Sequence, residues 1–135
     1  MSAIYQARTQ AEAAAEKLKI YAQPQRLMIL SLLLNGEHIV SEIERLTGII
    51  QPALSQQLAE LRRAGVVTMR RASKQVHYSL ANDDVTLCVR SIEAIFGTGE
   101  DKARALERVV AGEGKSATPS MLARPTAAAV FARIG

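Results

Sequence analysis

Apolar residues recur along the first two thirds of the chain at helical spacing, and then change period. Residues 4 to 22 contain no Gly or Pro and place Ala11, Ala14, Ala15, Leu18 and Tyr21/Ala22 on one face, which predicts a first helix packing on a partner. Pro24 suits the first position of a second helix, and RLMILSLLL runs to Asn35-Gly36, where Gly can take the left-handed cap. Being almost wholly apolar, that helix is expected at the centre of the core. Ser41 followed by Glu44 has capping-box spacing and opens a short helix, with Ile43 and Leu46 inward and Thr47-Gly48 as its stop. Pro52 marks the next start, and Leu54, Leu58 and Leu61 fall at i, i+4 and i+7 until Ala64-Gly65.

After Gly65 the period becomes 2. In KQVHYSL, Val76, Tyr78 and Leu80 alternate with Gln75, His77 and Ser79, so VVTMRR and KQVHYSL predict a two-stranded ribbon turning at Ala72-Ser73. Asp83 and Asp84 suit a further helix N-terminus, with Val85, Cys88/Val89, Ile92 and Ile95/Phe96 as its apolar stripe and Gly97 as its end. Beyond Gly99 the pattern weakens: residues 100 to 111 allow a helix, GEGKSATPS reads as a linker, and TAAAVFARI allows a short helix. The expectation is therefore a mainly α domain over residues 1–97, with a two-stranded β wing, and an extension over 98–135.

Short helix, glycine turn, longer helix is the helix-turn-helix pattern, and charge sharpens its meaning. The formal net charge is +4, yet basic and acidic residues balance over 1–50 and again over 82–135. The whole excess lies in 51–81, where Arg62, Arg63, Arg70, Arg71 and Lys74 face only Glu60, as a polyanion partner requires and as a merely basic surface would also show. With the three leucines buried, a 100° step places Pro52, Gln56, Ala59 and Arg63 outward, flanked by Ser55 and Gln57. Gln56 can pair bidentately with adenine, Arg63 can reach guanine or a phosphate, and Ala59 is small enough for close approach to a groove. Glu60 would pair with Arg63 or accept from a cytosine amine. Arg70, Arg71 and Lys74 would straddle the sugar-phosphate backbone, while Gln51, Arg62 and Gln75 complete the expected DNA-facing set.

Other chemistries find little footing. No catalytic Ser/His/Asp or Cys/His set, Gly-rich phosphate loop or paired carboxylate frame is present, so neither an enzyme nor a cofactor is expected. No run approaches the ~18 apolar residues of a membrane span, and the charged start lacks a secretory pattern, which places the expected location in the cytoplasm. His38, assigned to a loop, and His77, assigned to the second strand, have no His, Cys or Asp at ligand spacing.

The run RLMILSLLLNGEHIVSEIERLTGIIQPALSQQLAELRRAGVVTMRRASKQVHYSL resembles the ArsR/SmtB family of winged helix-turn-helix repressors, over roughly residues 12 to 97. The resemblance implies a homodimer through the first and last helices of the domain, acting on a near-palindromic operator in double-stranded DNA. It also implies a recognition helix whose Ser-Gln-His centre falls on Ser55, Gln56 and Gln57, with Gln57 in place of the usual His. Ile50 stands where many members carry a Ser or Thr cap, so the start of that helix is expected to lack a side-chain cap worth ~1 kcal/mol. The chain is also similar to the biofilm-growth-associated and sulfide-responsive subgroup, whose cysteine pair falls here on Ser31 and Gly97. The single Cys88 leaves no intrachain dithiol, and the alternative function is a thiol-responsive regulator using Cys88 at or near the dimer seam. The metal-ligand positions of other relatives are likewise empty of cysteine and histidine, and the inducer has no signature.

Overall fold

A computed structural model describes residues 3–97 and 102–111, and the chain divides into two compact units between Asn82 and Asp83. The first unit opens with a 3-10 turn at Ile4–Gln6, followed by α1 (Arg8–Tyr21), α2 (Pro24–Leu33), β1 (His38–Ile39), α3 (Val40–Thr47), α4 (Ala53–Arg63), β2 (Val67–Ala72) and β3 (Gln75–Leu80). The expected helix over 4–22 is interrupted because Ala7 is extended, at φ −138° and ψ 105°, so α1 starts only at Arg8.

Burial explains the arrangement. Ile29, Leu30 and Leu33 of α2, Ile43 of α3 and Leu54, Leu58 and Leu61 of α4 are buried, as are Val66 and Val67 at the start of the ribbon. The apolar α2 contacts α3, α4 and β3, which is the central place its composition calls for. Leu46, expected inward, is 50% exposed instead: α3 turns only Ile43 into the core.

The start of α3 also differs from expectation. Its N-cap is Ile39, and the Glu42 carboxylate accepts from the Ile39 N–H at 3.1 Å, so Glu42 rather than Glu44 does the capping. Because β1 runs straight into the helix, the cap falls two residues before Ser41. At the other end Gly48 adopts φ 78°, a left-handed conformation that costs a residue with a Cβ roughly 1–2 kcal/mol.

The sheet has three strands, in the order β1-β3-β2, all antiparallel. His38, assigned from sequence to a loop, pairs with Tyr78, so a third two-residue strand joins the expected hairpin. Ala72 pairs with Gln75, which makes Ser73 and Lys74 the turn residues, one position later than expected. Both have positive φ, 52° and 65°, as a two-residue primed turn demands of its central pair.

The second unit contains α5 (Asp83–Phe96) and α6 (Lys102–Ala111), which pack together. Asp83 and Asp84 occupy the first turn of α5, where the helix dipole favours carboxylates. Val85, Val89 and Ala94 are buried, whereas Ile95 and Phe96, at the end of the apolar stripe, are 48% and 76% exposed. The expected linker GEGKSATPS and the TAAAVFARI segment lie outside the described residues.

Candidate nucleic-acid interface

The leucine stripe decides which face of α4 is free. Leu54, Leu58 and Leu61 are 0%, 2% and 0% exposed, and the opposite side carries exposed Ser55, Gln56, Ala59, Glu60, Arg62 and Arg63. The helix start is capped after all: the Gln51 side-chain oxygen accepts from the Ser55 N–H at 2.9 Å. The N-cap position itself is Pro52, which has no side-chain hydrogen bond to give, so the long amide of the residue before it serves the Ser55 donor. Its oxygen therefore holds the helix start, and its NH2 remains a donor.

The other end of α4 is closed by local geometry. Val66 donates to the Leu61 carbonyl at 3.1 Å and Gly65, at φ 79°, to the Arg62 carbonyl at 3.0 Å, a Schellman arrangement in which buried Val66 and Leu61 supply the apolar contact. The chain is thereby aimed directly into β2.

Gln57 departs from its neighbours. It is half-buried, and its oxygen accepts from Arg26 Nε on α2 at 2.8 Å. Arg26 also donates through Nη1 to the Ile20 carbonyl at 3.3 Å, and its backbone N–H goes to the Gln23 side chain at 2.9 Å. Arg26 was not among the expected site residues, since it lies in a charge-balanced stretch 31 positions from its partner.

The basic residues of the window prove to be sorted by partner. Arg63 Nη2 donates to the Glu60 carboxylate at 2.6 Å along the helix, and Arg62 Nη1 approaches Met69 Sδ of β2 at 3.2 Å. Strand alternation places Val67, Met69 and Arg71 on one face of the ribbon and Thr68, Arg70 and Ala72 on the other. Because Arg62 of α4 reaches Met69, Arg71 shares the face turned toward α4.

Arg70 faces the other way. It grips Glu37, in the α2–β1 loop, with a two-pronged contact, Nε at 2.7 Å and Nη2 at 2.8 Å, and His77 Nδ1 lies 3.9 Å from the same carboxylate. The hydrogen bond from Arg70 holds the Glu37 carboxyl below the ordinary glutamate value, helped by the Arg70 and His77 charges and opposed by desolvation, and Glu37 correspondingly raises Arg70. The wing's three cations are thus unequal. Arg71 and Lys74 are exposed and make no ion pair among the described residues, whereas Arg70 must leave a carboxylate to meet a phosphate. Gln75, exposed at the start of β3, lies on the Arg70 face.

Cys88 is a free, half-buried thiol on α5. Among the described residues no three His, Cys, Asp or Glu side chains gather as a metal site would require, and no helix is long and apolar enough to cross a membrane.

A three-helix core presenting the outer face of α4, with a basic ribbon after it, defines a winged helix-turn-helix regulatory protein. Comparison with known proteins agrees. The pattern of the "Bacterial regulatory protein, arsR family" matches residues 23–69. The "Biofilm growth-associated repressor" of Agrobacterium fabrum is 45% identical over 84 residues, covering 62% of this chain and 72% of the relative. The crystal structure of the transcriptional repressor BigR from Xylella fastidiosa superposes with a TM-score of 0.64 at 38% identity, covering 69% of this chain and 95% of that one. For the transcriptional regulator HlyU from Vibrio vulnificus the TM-score is 0.60 at 37% identity, covering 65% and 93%. The chain belongs to the arsR family of bacterial regulatory proteins.

Proposed function

We propose that the protein is a transcriptional repressor that binds a near-palindromic operator as a homodimer, with α4 of each copy in the major groove and the ribbon on the adjacent backbone. The observation that carries this reading is the division of α4 into a buried leucine stripe and an exposed face bearing Ser55 and Gln56, with Arg71 on the ribbon face turned toward that helix. Ser55 and Gln56 supply base-edge hydrogen bonds, and Arg71, Lys74 and Arg63 supply charge to phosphates.

Dimerisation through α1 and α5 is supported by large apolar side chains left exposed on one copy, Leu18 on α1 and Leu87, Ile95 and Phe96 on α5. Two copies related by a two-fold axis would present their α4 helices about one helical turn, ~34 Å, apart. Residues 1–97 together form the DNA-binding and dimerisation domain in this reading, and the protein works in the cytoplasm. One cysteine in the sequence leaves no intrachain disulfide to trigger release, so a thiol response would have to pass through Cys88 between copies.

The test is a fluorescence-anisotropy titration of a duplex from the protein's own upstream region against a shuffled duplex of equal composition. At physiological salt the upstream duplex is expected to bind roughly 10³-fold tighter or more. Equal affinities would overturn the proposal.

A further inference from the structure

We propose that Arg26 is a positioning residue for base reading: it holds the oxygen of Gln57 toward α2, so that Gln57 meets DNA only as a hydrogen-bond donor. This rests on the reading of α4 as the DNA-facing helix and adds what one of its side chains can recognise.

A guanidinium carries five N–H donors and no acceptor. The 2.8 Å contact from Arg26 Nε therefore fixes the oxygen as the end of the Gln57 amide that meets α2, with the NH2 taken as the end offered to DNA. A bidentate contact with adenine needs acceptor and donor side by side, which Gln57 then lacks. An acceptor on the DNA, guanine O6 or N7 or thymine O4, is what it can take. Gln56, exposed and without a side-chain hydrogen bond among the described residues, keeps both ends.

Arg26 is built to hold this position. Its Nη1 reaches the Ile20 carbonyl in the last turn of α1, and its own N–H is fixed by the Gln23 cap of α2. Among the described residues Arg26 makes no ion pair, so the contact with a neutral amide orients that amide rather than neutralising a charge.

The test compares wild type, Arg26→Gln, Gln57→Ala, the double variant and Arg26→Lys, by selection of bound sequences from a randomised operator library and by affinity at several salt concentrations. Gln57→Ala and Arg26→Gln are each expected to lose about tenfold in operator affinity and to relax preference at the same base position, with the double variant no worse than either. Arg26→Lys, which keeps a donor, retains the preference. Binding to shuffled DNA and the salt slope stay unchanged throughout. Additive losses in the double variant, relaxation at different positions, wild-type behaviour of Arg26→Gln, or a salt slope lowered by about one per copy, about two for the homodimer, in that variant would each overturn the inference, the last because Arg26 would itself be touching a phosphate. If Arg26→Gln does not fold, Gln57→Ala and Arg26→Lys decide: loss in the first with retention in the second supports it, and the opposite pattern overturns it. A wild type that fails to discriminate the operator at all removes the DNA-facing reading of α4 as well.

Discussion

Replacing Leu58 with Ala and, separately, Gln56 with Ala probes two sides of one helix, and the structure assigns them opposite consequences. Leu58 is 2% exposed between two leucines at 0%. Truncation removes three buried carbons, about 2–2.5 kcal/mol of transfer free energy at ~0.8 kcal/mol per methylene, and the unfilled cavity raises the loss to about 3–4 kcal/mol. Against a total stability of roughly 5–15 kcal/mol this is a large fraction, and for a domain of this size it lowers the melting midpoint by more than ~10 °C. Gln56 lies on the exposed face, so its truncation changes stability by no more than ~0.5 kcal/mol yet alters base preference and weakens operator binding about tenfold. Urea unfolding followed by circular dichroism, at one fixed protein concentration because a dimer's stability depends on it, gives the first quantity. Anisotropy on operator and base-substituted duplexes gives the second. A loss below ~1 kcal/mol for Leu58→Ala, or above ~2 kcal/mol for Gln56→Ala, would mean that the two faces have been assigned wrongly.

Three further outcomes follow from the same contacts. Arg71→Ala or Lys74→Ala should weaken binding to all sequences alike and reduce the slope of log affinity against log salt by about 0.9 per copy, about 1.8 for the homodimer; a sequence-selective loss would contradict their backbone role. Gln51→Ala should remove the cap on Ser55 and cost about 1 kcal/mol in urea unfolding, while Ile50→Ser should change little because position 50 lies two residues before the N-cap at Pro52; equal effects would show that Gln51 does no capping. The Glu37 carboxyl is held below the ordinary 4.5, so the Glu37–Arg70 tie is fully present at neutral pH and is lost only as pH falls through that lowered value. A carbon-detected NMR titration should place the Glu37 midpoint below those of unpaired glutamates and return it upward in Arg70→Gln; a wild-type midpoint at or above the ordinary value would remove the pair.

The features legible in the sequence were those encoded within a few residues of themselves. The leucine triplet of α4, the glycine stops at Gly48 and Gly65 and the period-2 alternation of β3 each state a local geometry, and the fold follows from their order. Errors of one or two positions arose where two residues compete for one role. Glu42 and Glu44 both stand near the start of α3, and the turn falls on Ser73-Lys74, a pair without the Asn or Gly that usually marks positive φ. Long-range ties were invisible in principle. Arg26 meets Gln57 across 31 residues and Arg70 meets Glu37 across 33, so a count of charge by window could not show that Arg70 is engaged or that Arg26 serves α4. A two-residue strand such as β1 carries no pattern of its own and exists only through its pairing with β3. Leu46 is placed inward by hydrophobicity alone, yet it lies near the end of α3, where the buried stripe runs out.

The central claim is that the exposed face of α4 and the Arg71 side of the ribbon meet DNA together. Amide chemical-shift mapping during titration with the operator duplex tests it residue by residue. The largest changes are expected at Ser55, Gln56, Ala59 and Arg71, with little at the buried leucines beyond what the helix transmits. Maximal changes confined to α5 and α6, with α4 and the ribbon silent, would contradict the account.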